Sequence, residues 1–390
     1  MNTVPAPLLV TTPQALSELV ERLLRSSRVA VDTESNSFFA YHDRLCLIQF
    51  SSDQGDYVVD PFTVGNIKLL EKVFREERLE KVFHAAQEDI RFLRMELEGP
   101  FHPLFDTMAA ARILGLKEVG LAPLLSHHFQ VSLNKKLQRS NWGKRPLTRE
   151  QLEYAAKDTH YLLALRDLLH KKLEEKNLLE EAQEEFQRIA EAKQEPRQFD
   201  PEGFRNMPGA RDLHPRGLTI LQALYARRDQ EGRRVDLPVF MILPESLLVE
   251  LSRRSPTDEA HLAQVPGVTP YILKRHARWI LDTMAQAKSA ALVGPPQEPL
   301  IPRMDDQEIA RYEKLRAWRN QKARERGVEG DVIVPNRVLK DLARKMSSWE
   351  KGKVNVEGLK RELQQFPEMS PRKMTTYGEE LVRLLSEMLQ

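Results

Sequence analysis

Residues 28–34 read Arg-Val-Ala-Val-Asp-Thr-Glu, and the rest of the chain can be arranged around this apolar run that ends in acids. In a β-strand, residues two apart point to the same face, so Asp32 and Glu34 project together. Two carboxylates that close repel each other, and a shared divalent cation relieves the repulsion. Oxygen ligands favour Mg²⁺ or Mn²⁺. An isolated Asp-x-Glu pair can also end a strand in solvent, so a metal site requires more acids.

The composition predicts a folded protein with more than one domain. A chain of 390 residues with 41% hydrophobic content can bury two or three cores. The single cysteine, Cys46, lies in an apolar run and can form no intrachain disulfide, which favours a reducing compartment. The first residues lack the pattern of a secretion signal, and no apolar run approaches the length of a membrane span. We therefore expect a cytoplasmic protein with no membrane association.

The first half of the chain has the alternating pattern of an α/β domain. Residues 44–51 and 56–60 are strand-like and follow the acidic strand as an antiparallel meander. A further strand is predicted at 81–84. The apolar periodicity predicts helices at 13–24, 67–74, 87–95, 120–129 and from 148 onward, then one charged helix over 169–192 and a linker from Gln194.

Three further side chains supply the chemistry that the acidic strand requires. Asp89 lies in the first turn of a helix, where a carboxylate is favoured by the helix dipole. Tyr154 and Asp158 are four residues apart on a helix that begins with a capping box, Thr148 with Gln151, so a phenol and a carboxylate share one face. Taken singly, each has an ordinary structural explanation as a helix-start acid, a packed tyrosine or a surface ion pair.

Taken together, Asp32, Glu34, Asp89, Tyr154 and Asp158 resemble the tyrosine-containing branch of the exonuclease superfamily named for its Asp-Glu-Asp-Asp acids. Within that superfamily, the chain resembles the ribonuclease D family. The similarity is carried by residues 32–34, 44–49, 82–84 with Asp89, 145–147 and 154–163. It implies an α/β ribonuclease-H-like catalytic domain over residues 1–195, with a mixed sheet and flanking helices.

The resemblance also implies the role of each site residue in phosphodiester hydrolysis with two Mg²⁺ or Mn²⁺ ions. Asp32, Glu34 and Asp158 would hold one ion, and Asp32 would bridge to a second ion that Asp89 helps to anchor. Tyr154 would orient the attacking water, and Glu34 would contact the terminal 3′-hydroxyl. The products would be 5′-phosphomononucleotides, released one at a time from a free 3′ end.

Two residues near these motifs are candidate nucleic-acid contacts. His84 belongs to a matching motif and is placed outside the metal ligands, on the substrate side or behind the site. Phe38 follows the acidic strand in an aromatic segment with Phe39 and Tyr41, and such aromatics can stack on terminal bases. The same segment can equally be a hydrophobic loop packed on its own domain.

The second half contains an internal repeat at an offset of 91 residues. Residues 224–230 match 315–321, and the Pro244 region matches the Pro335 region. Two small helical units are expected. Each resembles the helicase-and-RNase-D C-terminal (HRDC) domain, an all-α bundle that grips nucleic acid, and we assign them to residues 210–290 and 305–390. The candidate phosphate contacts are Arg227, Arg228, Arg233, Arg234, Arg319, Lys322, Arg324 and Arg326.

The sequence thus predicts a metal-dependent 3′–5′ exoribonuclease that acts on RNA with a free 3′ end, with transfer RNA precursors as the expected substrates. A DNA 3′–5′ exonuclease is an alternative, because the acids do not read the sugar. A binding protein with a vestigial site is another, and intact substrate after incubation with Mn²⁺ would favour it. No Gly-x-x-x-x-Gly-Lys-[Ser/Thr] loop occurs, so no nucleotide cofactor is expected.

Overall fold

The acidic stretch forms β2 (Arg28–Ser35), a central strand of a six-stranded mixed sheet. The structure is a computed structural model that describes residues 5–133, 135–192, 198–294, 304–349 and 355–389. The other strands are β1 (Leu8–Val10), β3 (Leu45–Ser52), β4 (Gly55–Val59), β5 (Glu80–Phe83) and β6 (Leu104–Asp106). The spatial order is β1-β4-β3-β2-β5-β6. The β2-β3-β4 meander is antiparallel, and the β1-β4, β2-β5 and β5-β6 pairs are parallel. The predicted mixed sheet is confirmed.

Helices cover both faces of this sheet. The first predicted helix begins at Pro13, and Thr12 caps it by accepting a hydrogen bond from the Ala15 amide. The helices of this part are α1 (Pro13–Leu23), α2 (Pro61–Val64), α3 (Glu71–Arg75), α4 (Gln87–Glu96), α5 (Thr107–Ile113), α6 (Leu121–Phe129), α7 (Arg149–His160), α8 (Leu162–Glu175) and α9 (Leu179–Glu191).

Two details differ from the sequence prediction. The charged helix expected over 169–192 is wrong as one element, because α8 ends at Glu175 and α9 begins at Leu179. Between them Asn177 has a φ of 55°, a left-handed conformation that interrupts a helix. The three-residue strands β1 and β6 were missed, since three residues show no periodicity. The predicted linker from Gln194 lies outside the described residues as far as residue 197.

The helices of the second half form two bundles. The first bundle contains α10 (Pro215–Val235), α11 (Val239–Ile242), α12 (Glu245–Arg254), α13 (Glu259–Ala263) and α14 (Pro270–Ser289). The second bundle contains α15 (Asp306–Arg326), α16 (Gly330–Ile333), α17 (Asn336–Ser348), α18 (Val356–Gln364), α19 (Pro371–Lys373) and α20 (Glu379–Leu389), with a π-helical turn at Met374–Gly378. Each bundle has its own apolar core. The predicted pair of helical units is confirmed.

The chain divides into two compact units. The first unit comprises Met1–Ser35, Leu45–Gln194 and Met304–Gln390, so it contains the sheet and the second bundle. The second unit comprises Asn36–Arg44 and Glu195–Arg303, so it contains the first bundle together with the short segment that follows β2. No helix in the described ranges is long and apolar enough to cross a membrane.

Within the first unit, the second bundle is joined to the sheet domain by apolar and charged contacts. Val332 of α16 is 7% exposed and belongs to the main core of the sheet domain. The guanidinium of Arg326 donates to Glu181 of α9 at 2.9 Å and to the main-chain oxygen of Ile113 at 3.2 Å. Arg112 of α5 forms an ion pair with Glu329 at 3.0 Å. These contacts bury one side of the bundle against α5 and α9.

Candidate active site

Helix α7 is held across the sheet by its N-terminal cap and by the segment before it. The capping box predicted from the sequence is present, because Thr148 accepts from the Gln151 amide and the Gln151 side chain accepts from the Thr148 amide. Arg145 forms two hydrogen bonds to Asp60, at 2.6 and 2.8 Å, and a third to the main-chain oxygen of Cys46. A guanidinium that clamps both a carboxylate and a strand carbonyl fixes the approach of the chain to α7.

Three of the predicted acids converge between β2 and α7. Asp32, Glu34 and Asp158 each have one carboxylate oxygen within 4.8 Å of the corresponding oxygen of the other two residues. All three residues are half-buried. The Tyr154 hydroxyl forms a hydrogen bond with Asp158. The spacing of two residues on a strand and four on a helix therefore brings these groups together, as the sequence indicated.

Asp89 is near enough to Asp32 for their charges to interact, and it is fixed by Thr33. Its Oδ1 accepts hydrogen bonds from the Thr33 amide at 2.9 Å and from the Thr33 hydroxyl at 2.6 Å. Thr33, which lies between Asp32 and Glu34 in the strand, thus points to the opposite face and binds Asp89. Sequence reasoning missed this role of Thr33, although the alternation of a strand already placed its side chain opposite those of the acids.

The four acids are in an environment that disfavours their charged forms. Burial raises the pKa of Asp32 to about 7, against the effect of a hydrogen bond from the Thr33 backbone. Burial, followed by the charge of Asp32, raises the pKa values of Glu34, Asp89 and Asp158 well above their ordinary values. Carboxylates crowded at this distance fit a divalent cation, because the cation supplies the compensating charge that the described side chains do not.

Tyr154 is kept in its protonated form. Burial raises the pKa of its phenol, and the charges of Asp158 and Glu34 raise it further. A phenol in this state is a hydrogen-bond donor rather than a base. The group can therefore orient a water molecule beside the acids without removing its proton.

His84 directly follows β5 and is outside the cluster of three acids. The Thr107 hydroxyl donates to the main-chain oxygen of Phe83 at 3.0 Å, so it accepts from Nδ1 of His84 at 2.9 Å. Burial lowers the pKa of the His84 imidazole. A neutral ring anchored through Nδ1 leaves Nε2 as its acceptor atom, and contact with nucleic acid stays a prediction for this residue.

The sequence left two alternatives open for the aromatic segment after β2, packing on its own domain or stacking on bases, and Tyr41 and Phe38 differ in this respect. The Tyr41 hydroxyl lies 2.7 Å from Asp229 and 3.0 Å from Arg233, both on α10 of the first bundle. Tyr41 therefore packs within its own unit. Phe38 is 53% exposed, and stacking on a base stays a prediction for Phe38.

Two of the predicted phosphate contacts are wrong, because their side chains lie inside the bundles. Arg228 is 3% exposed and donates to the main-chain oxygen of Leu243 at 3.1 Å. Arg319 is 6% exposed and donates to Asn336 at 2.7 Å and to the main-chain oxygen of Val334 at 3.3 Å. Both guanidinium groups connect helices within a bundle and do not reach a surface where a phosphate could bind.

Of the other basic candidates, Arg227 and Lys322 are on or near the surface and are paired with acids, whereas Arg326 is bonded to Glu181 and to the main-chain oxygen of Ile113. Arg227 forms an ion pair with Glu231 at 2.6 Å, and Lys322 contacts Glu380 at 2.8 Å and Glu325 at 3.1 Å. A phosphate would have to compete with these carboxylates. Nucleic-acid contact stays a prediction for both residues.

The fold and the site define the class of protein. A 3′-5′ exonuclease family model matches residues 7–174, and an HRDC domain model matches residues 217–284 and 308–385. The first match includes all five predicted catalytic residues, and the second confirms the doubled helical domain. The chain is a 3′–5′ exonuclease with two HRDC domains.

Comparison with individual proteins gives the family. The chain is 30% identical to ribonuclease D of Gluconacetobacter diazotrophicus over 290 residues, which is 73% of each chain. It is 30% identical to the exosome complex exonuclease RRP6 of Saccharomyces cerevisiae over 302 residues, 72% of this chain and 40% of the yeast protein.

A solved structure covers nearly the whole chain. The crystal structure of Escherichia coli RNase D, described as an exoribonuclease involved in structured RNA processing, has a TM-score of 0.69 and 25% identity, covering 98% of this chain and 99% of that one. The chain belongs to the ribonuclease D family of 3′–5′ exoribonucleases, and this family depends on divalent metal ions.

Proposed function

We propose that Asp32, Glu34, Asp89 and Asp158 hold two divalent metal ions, Mg²⁺ or Mn²⁺, and that the chain trims the 3′ trailers of transfer RNA precursors. The observation that carries the metal site is the cluster of three carboxylates within 4.8 Å. Asp32 belongs to this cluster, and its charge raises the pKa values of Glu34 and Asp158 and also that of Asp89. A residue in that position is suited to serve two ions.

Each side chain has a distinct part in the proposed hydrolysis. The bound ions would supply Lewis-acid stabilisation of the charge that develops on the attacking and leaving oxygens. Tyr154 would orient the attacking water with its hydroxyl group. Glu34 would contact the terminal 3′-hydroxyl and so restrict cleavage to the last nucleotide. Thr33 would keep Asp89 in position through its two hydrogen bonds.

The proposed substrate is supported by the architecture beyond the catalytic domain. The E. coli enzyme is structurally similar over nearly its whole length and is described as involved in structured RNA processing. Two HRDC domains in one chain give a second surface on which a folded RNA can be held while its 3′ end is trimmed. A transfer RNA precursor is such a folded RNA with a single-stranded 3′ trailer.

A time course on a 5′-labelled transfer RNA precursor tests the proposal. We expect a ladder that shortens from the 3′ end with Mg²⁺ or Mn²⁺, and no ladder with chelator or with a matched DNA. Asp158→Asn should lower the rate by at least about 10²-fold, because one ligand of the proposed site is lost. RNA affinity should be unchanged, since no proposed RNA contact is removed.

Glu153→Gln is the matched control for that variant. Glu153 lies on the same helix and pairs with Arg149 at the surface, so its replacement should leave the ladder unchanged. Trimming by Asp158→Asn at the wild-type rate would contradict the site. Equal degradation of the DNA would contradict the assignment to RNA.

The pH dependence of metal binding gives an independent measurement. Asp32 has a pKa of about 7 in the folded metal-free protein and an ordinary value of 3.8, so protons compete with the metal below about pH 7. Mn²⁺ affinity, measured by calorimetry, should fall as the pH is lowered from 8 to about 6. The stability of the metal-free protein should change with pH in the opposite direction. An acid whose pKa is raised by folding stabilises the folded protein at low pH, so its contribution to the free energy of unfolding should be lost as the pH rises from about 4 to about 7.

A further inference from the structure

Gln49 of β3 is a buried amide whose hydrogen-bonding capacity is unused. The residue is 0% exposed, and neither its Oε1 nor its Nε2 has a hydrogen-bond partner among the described residues. Burial of an amide without partners is unfavourable, and such groups in folded proteins are rare. The amide therefore needs a partner that the described side chains do not supply in this arrangement.

The register of the sheet places this amide beside the acids. Gln49 is directly opposite Asp32 in the antiparallel β2-β3 pair, so the two side chains leave the same face with Cβ atoms about 5 Å apart. On the other side Gln49 is paired with Val58 of β4. Its amide consequently lies on the same face of the sheet as Asp32, in the row of neighbouring side chains that runs across the strands through Asp32.

Helix α7 covers the same row. Leu47, two residues before Gln49, packs in an apolar cluster with Ala155. Ser51, two residues after it, has its hydroxyl 2.7 Å from that of Thr159. Gln49 lies between these two contacts, so its side chain is enclosed between Asp32 and the part of α7 that includes Asp158.

We propose that Gln49 is a positioning residue of the metal site, with its Nε2 donating to the Asp32 carboxylate, directly or through one buried water, when the metal ions are bound. The inference rests on the proposed metal site and extends it to a residue behind the ligands. A neutral amide suits this role, because it can fix the direction of a carboxylate without adding a positive charge that would compete with the metal ions.

Gln49→Met tests the proposal, since methionine keeps the length and volume of glutamine and removes both polar atoms. We expect Mn²⁺ affinity, measured by calorimetry on the RNA-free protein, to fall by about 10-fold or more. The melting temperature in chelator should be unchanged or higher, because the buried amide without partners is gone. On a short RNA, kcat should fall while KM stays unchanged.

Ser51→Ala is the matched control on the same strand face and under the same helix. Its hydroxyl contacts Asp56 and Thr159, so its loss should lower the melting temperature and leave Mn²⁺ affinity unchanged. If Gln49→Met behaves in that way, Gln49 has a structural role and the inference is overturned. If the wild-type protein itself fails to bind Mn²⁺, the proposed metal site fails, which is a separate outcome.

Discussion

The two helical bundles share a fold and an interior but differ in the surface that each presents. Arg228 and Arg319 occupy equivalent positions 91 residues apart, and each donates to the carbonyl 15 residues later, at Leu243 and Val334. Both long helices end in a left-handed residue at equivalent positions, Asp236 and Gly327. The repeat therefore preserves the internal bonds that define the bundle.

The surfaces at the end of these long helices differ. In the second bundle, Val332 enters the core of the sheet domain and Glu329 pairs with Arg112. At the position equivalent to Val332, the first bundle has Met241, which is 41% exposed. The corresponding end of its long helix instead binds the segment after β2, through Tyr41. The two copies therefore share a scaffold and differ in what one face of each contacts.

The largest expected effect comes from placing a charge at the two equivalent positions. Val332→Asp should lower the free energy of unfolding by about 3 kcal/mol or more, because a carboxylate would be buried in an apolar core. Met241→Asp should change it by less than about 0.5 kcal/mol, since that side chain is exposed. Urea unfolding of both variants measures the difference. Equal losses would show that the two surfaces are alike.

Replacement of the two interior arginines tests what the bundles share. Arg228→Met and Arg319→Met should each cost about 1–3 kcal/mol, because each leaves a buried carbonyl without its donor. The two losses should be similar, and the affinity of the folded proteins for RNA should be unchanged. A variant that keeps its stability but binds RNA more weakly would show that these residues are phosphate contacts after all. Arg227→Met, which changes a surface arginine, is the control in the same binding assay.

The smallest expected effect concerns the attachment of the segment after β2. Tyr41→Phe removes the hydroxyl that contacts Asp229 and Arg233 and should cost about 1 kcal/mol. Amide hydrogen exchange should report faster exchange in residues 36–44 than in wild type. Tyr271→Phe is the control, because Tyr271 is a 59% exposed tyrosine of the same bundle. Unchanged exchange in Tyr41→Phe would mean that other contacts hold the segment.

The structure confirms the predicted convergence of Asp32, Glu34 and Asp158 with Tyr154, because this arrangement depends on local periodicity. Asp32 and Glu34 share a strand face, and Tyr154 and Asp158 share a helix face, whatever the rest of the chain does. The meander and the capping box of α7 depend on equally local signals. These were the parts of the fold and the site that the structure reproduced.

The errors concern contacts between residues far apart in the chain. An arginine in a charged helix gives no sign that it will turn inward to a carbonyl of a later helix, so Arg228 and Arg319 were mistaken for surface residues. The bonds from Thr33 to Asp89, 56 residues away, were missed for the same reason. The attachment of the second bundle to α5 and α9 has no periodic signal at all, because it consists of single side chains from four helices, α5, α9, α15 and α16.

That attachment has a consequence for synthesis of the protein on the ribosome. The core of the catalytic domain takes its last side chain, Val332, from a helix made about 140 residues after the end of α9. At ordinary elongation rates of 5–20 residues per second, this interval is roughly 7 to 28 s. During it, the apolar surface of α5 and α9 and the carboxylate of Glu181 face water in the nascent chain. A chain that stops before α16 would keep that surface exposed, which makes prematurely terminated copies candidates for recognition by chaperones and proteases.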